Sequence, residues 1–251
     1  MKTEEKQNAH PVKKGAKEYL LEGFMIFVAV TMGFIAENIR EKISENQKEL
    51  EFIESLVEDL KEDQIYLDDQ LAGQKSKLAQ LDTLTQLANT KGEIQNTNDF
   101  YYYGVLVTQY ASVALHTGTV DEIKNGGGLH LIRKRNIPKK IMEYYNYSSI
   151  VKNVEDRMNF VDDHYRQAFI EVIDPAIFDS ITDWKTSNGL TKPENNPPLR
   201  NSSIESLARL SGNATYMRVL RFRIYYLTAQ LKIDGENLLK LIQKEYKLET
   251  K

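Results

Sequence analysis

The residues with the greatest capacity for chemistry are the carboxylates Glu54, Glu58, Asp59, Glu62, Asp63, Asp68 and Asp69. Paired carboxylates transfer protons or hold a divalent cation. These are spread over about four helical turns with no glycine-bearing ligand loop, which reads as a solvated face or a surface complementary to a basic helix. His10, His116, His130 and His164 show no metal-ligand spacing such as H-E-x-x-H or Glu-x-x-His. Asp162, Asp163 and His164 are consecutive. Neighbouring side chains on a helix point in different directions, so one cation could not take all three. No serine sits in a nucleophile elbow. There is no cysteine, which removes thiol chemistry and a disulfide framework. The expectation is a protein that is not an enzyme, with no catalytic residue, no metal and no cofactor.

A second candidate is the glycine run Gly126, Gly127 and Gly128 beside Lys124, Arg133, Lys134 and Arg135. Glycines next to cations invite a phosphate-loop reading, but neither G-x-G-x-x-G nor the P-loop pattern is present. The run reads instead as a helix C-cap and tight turn, and the four cations as contacts for an anionic partner, either acidic side chains or lipid headgroups. Sequons at Asn201 and Asn213 coincide with expected helix starts, where capping accounts for them. The net charge is −3, so the basic excess of a nucleic-acid binder is missing.

The element that organises the chain is Tyr19 to Ile39. From Gly23 to Ala36 only Thr31 and two glycines interrupt the apolar side chains. With Leu20 and Leu21 in front the segment reaches the lower edge of the roughly 17–25 residues that cross a bilayer. No A-x-A-like cleavage site follows, which favours a transmembrane helix over a signal peptide. Glu22, Ile26, Ala29, Gly33 and Ala36 share one helical face. Small residues allow close helix approach in lipid, so Glu22, Ala29, Gly33 and Ala36 form a candidate membrane-helix interface; the plainer reading of Glu22 is that it marks the headgroup level. Lys2, Lys6, Lys13, Lys14 and Lys17 precede the segment, and Arg40, Lys42 and Lys48 follow it. That bias places the N-terminus in the cytoplasm and the rest across the membrane.

From Glu37 to about Asn89 the sequence reads as one long helix without proline, with Gly73 as its weak point. Leu50, Ile53, Val57, Leu60, Leu67, Leu71, Leu78, Leu81 and Ala88 recur at steps of three and four, with Gln64, Gln74 and Thr85 filling the gaps. The seam suits a coiled coil. Three later helical segments also need an apolar partner, which favours a bundle. A turn at Asn89–Thr97 precedes a helix capped by Asn98 or Asp99 and running through Leu115. Thr119 and Glu122 form a capping box for a short helix, and Asn136 with Pro138 opens a long one ending before Asp174-Pro175. Residues 174 to 200 are loop-rich and hold Trp184, which reads as a pin onto the core. Ser202 and Glu205 start a short helix to Leu210, and Asn213 or Thr215 opens the last one, whose Arg218, Arg221 and Arg223 face the acidic early helix as a counterpart.

The anchor ending in A-E-N-I-R-E, the acidic S-L-V-E-D-L-K-E-D, the block from Thr119 to Tyr145 and the terminal L-I-Q-K-E-Y together resemble a family of uncharacterised single-pass bacterial membrane proteins, a domain of unknown function. The resemblance implies an anchor plus a helical domain and brings no catalytic residue. The expected fold is all-α: a transmembrane helix (19–39), after a disordered cytoplasmic tail (1–18), continuing into a long helix that packs in an elongated helical bundle (40–251). The expected role is a structural or interaction protein of the bacterial inner membrane, its C-terminal domain periplasmic. Its partners would be membrane lipid and a protein or a second copy, not nucleic acid. The alternative is an exported ligand-sensing domain that acts through a partner.

Overall fold

The structure, a computed structural model, describes residues 15–89, 94–183, 185–187 and 189–248. The lysine-bearing tail before Gly15, the turn at Gly92 and Trp184 lie outside the described residues. The fold is all-α: α1 (Ala16–Ala88), α2 (Thr97–Leu106), α3 (Gly118–Asn125), α4 (Ile137–Val172), α5 (Pro175–Ser180) and α6 (Ile204–Tyr246), with a 3₁₀ turn at Gly128–His130. Among the described residues the one β-type pairing is an isolated bridge between Thr182 and Leu190.

The chain divides into two units, residues up to 51 and residues from 52 onward. The first is the opening portion of α1. Its apolar side chains from Leu20 to Ile39 are exposed, Phe24, Phe27 and Phe34 among them. This is a helix long and apolar enough to cross a membrane. The one hydroxyl in the stretch, Thr31 Oγ1, donates to the Phe27 carbonyl at 2.8 Å, so the backbone absorbs its polarity. Ala29 and Ala36 are exposed, and a Cβ built on Gly33 would meet nothing within 4 Å.

The second unit is a helical bundle built from the remainder of α1 with α4 and α6. Asp82 pairs with Arg218 and Asp68 with Lys232, while Glu171 pairs with Arg209 and Tyr144 packs on Gly235, so α6 runs antiparallel to both other helices. The core combines Ile53, Leu56, Leu60, Leu67, Leu81 and Leu84 of α1 with Ile141, Met158 and Tyr165 of α4 and Met217, Ile224 and Leu231 of α6. The seam expected on α1 is there but wider. Leu56, Asp63 and Leu84 are buried as well, Leu71 and Leu78 are half-buried, and Leu50 is exposed. A helix facing two neighbours buries a broader stripe than a two-stranded heptad seam. Gly73 does not interrupt α1, because the packed face on either side outweighs the roughly 1 kcal/mol glycine penalty.

Several local expectations are corrected. The helix expected to be capped by Asn98 or Asp99 begins two to three residues earlier, with the Asn96 side chain accepting from the Asp99 amide, and it stops at Leu106. Residues 107 to 117 are not helical. The capping box at Thr119 and Glu122 does not form, since α3 already starts at Gly118 behind Thr117. The two helices expected between Ser202 and the C-terminal region are one, α6, capped by the Ser203 hydroxyl. Asn213 and Thr215 therefore lie inside a helix. Burial of Leu210, Ser211, Ala214 and Met217 carries it through Gly212. The α3 terminus behaves as expected: Gly126 follows it and Gly127 takes the left-handed conformation at φ 69°. Gly128 is packed, because a Cβ there would lie 3.0 Å from the Phe52 ring.

Candidate functional site: buried charges beneath a non-helical strap

Residues 107 to 117 form a strap across α1 and α4. A segment outside helix and sheet must find other partners for its backbone; Thr108 and Gln109 donate back to Val105 and Leu106 in a turn, and side chains meet the segment at several further points. Lys77 Nζ donates to the Leu106 carbonyl at 2.6 Å, and Arg166 donates to the Thr108 carbonyl at 3.2 Å. Tyr66 donates its hydroxyl to the Ser112 carbonyl at 2.7 Å and accepts from the Ala114 amide. Glu155 takes the Val113 amide on Oε1 at 2.8 Å and the Ser112 hydroxyl on Oε2. Asp63 Oδ1 takes both the His116 amide at 2.9 Å and its Nδ1 at 2.8 Å, while the Tyr145 hydroxyl donates to the His116 carbonyl.

Asp63 was expected on the solvated acidic face, yet it is fully buried. Tyr144 donates a further, longer bond to its Oδ2 at 3.3 Å. Burial pushes the Asp63 carboxyl above its usual range despite the bonds from His116. The Asp63 carboxylate in turn raises His116. A carboxylate on the Nδ1 of a histidine is the arrangement that orients a general base. Here Nε2 faces the Glu62 carboxylate at 3.5 Å, so both ring nitrogens lie against acids.

At Tyr110 of the strap the charges are arranged differently. Arg221, on α6, is 2 % exposed and stacks its guanidinium 4.1 Å from the Tyr110 ring centroid. Its Nε and Nη2 have no hydrogen-bond acceptor. Glu155 and Asp162 attract it electrostatically, but both Glu155 oxygens are taken by the strap and Asp162 Oδ2 holds Arg166 at 2.7 Å. Burial lowers the pKa of Arg221. Lys77 is lowered to about 8, first by burial and then by the Arg221 charge. Arg221, Lys77, Gln74, Gly73 and Tyr110 line a cavity of about 150 Å³, with Gln70, Ala111 and the exposed Asp69 completing it. The Gln74 Oε1 is buried and also unpaired.

The residues singled out in the sequence lie elsewhere. Lys124 sits 6.0 Å from the Tyr145 ring and Lys134 6.0 Å from the Tyr246 ring, while Arg133 and Arg135 are exposed. Lys124 and Lys134 thus rest on different tyrosines. Asp162 is buried while Asp163 and His164 are exposed, the divergence expected of neighbours on a helix. Among the described residues no three acidic, histidine or cysteine groups gather as metal ligands. Arg218 pairs with Asp82 at 2.9 Å, whereas Arg221, expected to face the acidic helix, is inside. The missed residues did carry a signal. Arg221 lies four after Met217 and three before Ile224, and Glu155 lies four after Val151 and three before Met158. A charge on the apolar phase of a helix is a buried charge.

No protein-family model, no curated protein and no solved structure matches this chain.

Proposed function

We propose that the chain is a single-pass, membrane-anchored interaction protein of the bacterial inner membrane. The apolar stretch of α1 is the anchor, and the bundle is a periplasmic domain that docks to a protein partner or a second copy. The observation that carries this reading is the exposed run from Leu20 to Ile39. An apolar surface of that length is stable in hydrocarbon and costly in water. The surplus of lysines before the stretch supports the orientation, and the resemblance of the Thr119–Tyr145 block to single-pass bacterial membrane proteins supports the anchor. The test is extraction of bacterial membranes at alkaline pH, with a periplasm-dependent reporter fused after Lys251. Retention in the membrane with an active reporter is expected. Release into the soluble fraction removes the anchor, and retention with a silent reporter inverts the orientation.

A second reading, a ligand-sensing domain that acts through a partner, is favoured by one observation: the cavity is lined by Arg221, two of whose buried nitrogens have no acceptor.

A further inference from the structure

Leaving a buried charge without hydrogen-bond partners is costly, and native proteins do so rarely. Arg221 is such a charge, with Nε and Nη2 buried and without acceptors, and the residue lines a half-open pocket. Lys77, a second cation, lines the same space with one of its three donors committed to Leu106. We propose that this cavity is a binding site for a small oxyanion, a carboxylate or a phosphate- or sulfate-type group, held by the Arg221 guanidinium and the Lys77 ammonium.

Size and chemistry agree. A volume of about 150 Å³ is the share of about five waters at roughly 30 Å³ each, and it falls below the roughly 300 Å³ at which drug-sized pockets begin. The guanidinium lies over the Tyr110 ring, its carbon 4.1 Å from the centroid, a contact that limits its freedom before an anion arrives. Carboxylates and phosphates match that donor geometry. Of the nearby acids, Glu155 holds the strap with both oxygens and Asp162 holds Arg166 with Oδ2, which leaves Asp162 Oδ1 as a buried acceptor without a partner. Asp69 at the rim opposes an anion and sets an upper limit on affinity. The strap supplies Tyr110 and Ala111 to the cavity wall, so occupancy would couple to the strap's position. This inference rests on the bundle alone and stands whether or not the apolar stretch is a membrane anchor.

The test is calorimetric titration of the full chain in detergent with sodium phosphate, sulfate and acetate, each against chloride at equal ionic strength. Saturable binding of at least one oxyanion is expected. Acetate alone binding identifies a carboxylate site, and phosphate or sulfate alone identifies a tetrahedral one. Lys77→Gln should weaken binding about 10-fold or more, the usual effect of losing a charged hydrogen bond. Arg221→Met should abolish it, and Asp69→Asn should tighten it. Should Arg221→Met not fold, Lys77→Gln and Asp69→Asn decide. Two results overturn the proposal. One is the absence of saturable binding by wild type, as a water-bridged Arg221–Asp162 pair would give. The other is binding whose affinity Lys77→Gln leaves unchanged.

Discussion

Glu155 and Arg221 are both buried and both charged, yet their polar atoms are treated in opposite ways. The carboxylate of Glu155 accepts from an amide and a hydroxyl of the strap. The guanidinium of Arg221 has an aromatic face against it and two nitrogens without acceptors. Asp63 belongs with Glu155, since its Oδ1 is saturated by His116 and its Oδ2 receives Tyr144. The contrast teaches what a buried charge is for. A carboxylate can supply the missing backbone partner of a non-helical segment, and the segment then explains the charge. A cation facing a cavity has no such explanation within the chain. Glu155 and Asp63 are therefore structural, and Arg221 is assigned to a site.

The largest effect expected from breaking this contrast is on the structural side. Replacing Glu155 by Gln removes the charge from two hydrogen bonds and leaves one strap donor facing an amide donor. A loss of about 1.5–3 kcal/mol in unfolding free energy is expected, the usual cost of disrupting a buried charged hydrogen bond. Denaturant unfolding of the full chain measures it, and a loss under half a kilocalorie would detach Glu155 from the strap's stability.

Gly104, just before the strap, tests whether its starting point is fixed by packing. A Cβ there would lie 2.2 Å from the Phe169 ring, which is itself packed between Phe100 and Tyr165. The Tyr165 hydroxyl also donates to the Gly104 carbonyl at 2.8 Å. Gly104→Ala should destabilise by about 1–3 kcal/mol through overpacking. Thermal unfolding of the variant with stability unchanged or raised would show that the α2–α4 contact yields freely.

The pH dependence is smaller and distinguishes the two clusters by sign. His116 is raised above its ordinary 6.5 by Asp63, with Glu62 and Asp59 adding to it. Its stabilising contribution is therefore fully present below pH 6.5 and is lost as the pH rises through the raised value. Lys77 has the opposite sign: its folded value is lowered from 10.5 to about 8, so stability is recovered as the pH rises above about 8. As the pH rises above 6.5, unfolding midpoints should fall in wild type and flatten in His116→Asn. A slope that survives in His116→Asn would assign the titration to another group.

Much of the scaffold was legible in the sequence because it rests on periodicity. The apolar run of α1, the phase of Ile53, Leu60, Leu67 and Leu81, and the long helix after Pro138 all follow from spacing alone. The strap was not legible. Its residues, Val107 to Thr117, continue the aromatic and β-branched composition of α2, and their conformation is set by Tyr66, Glu155, Asp63 and Arg166, all distant in the sequence. The join within α6 was hidden for a similar reason, since the packing that overrides Gly212 is tertiary. The cavity lay between the two cases. Arg221 sits on the apolar phase of its helix, but only the assembled bundle shows that no carboxylate of the acidic helix reaches it.

The measurement that bears most directly on the division between structural acids and the site-forming Arg221 is the unfolding free energy of Arg221→Met beside Glu155→Gln in oxyanion-free buffer. A buried charge with unsatisfied donors costs stability, so exchanging it for an apolar side chain removes that cost, and residues kept for binding commonly lower stability. Arg221→Met is expected to be as stable as wild type or more so, while Glu155→Gln loses about 1.5–3 kcal/mol. An Arg221→Met protein destabilised as much as Glu155→Gln would contradict the account, placing the guanidinium among the structural charges of the bundle.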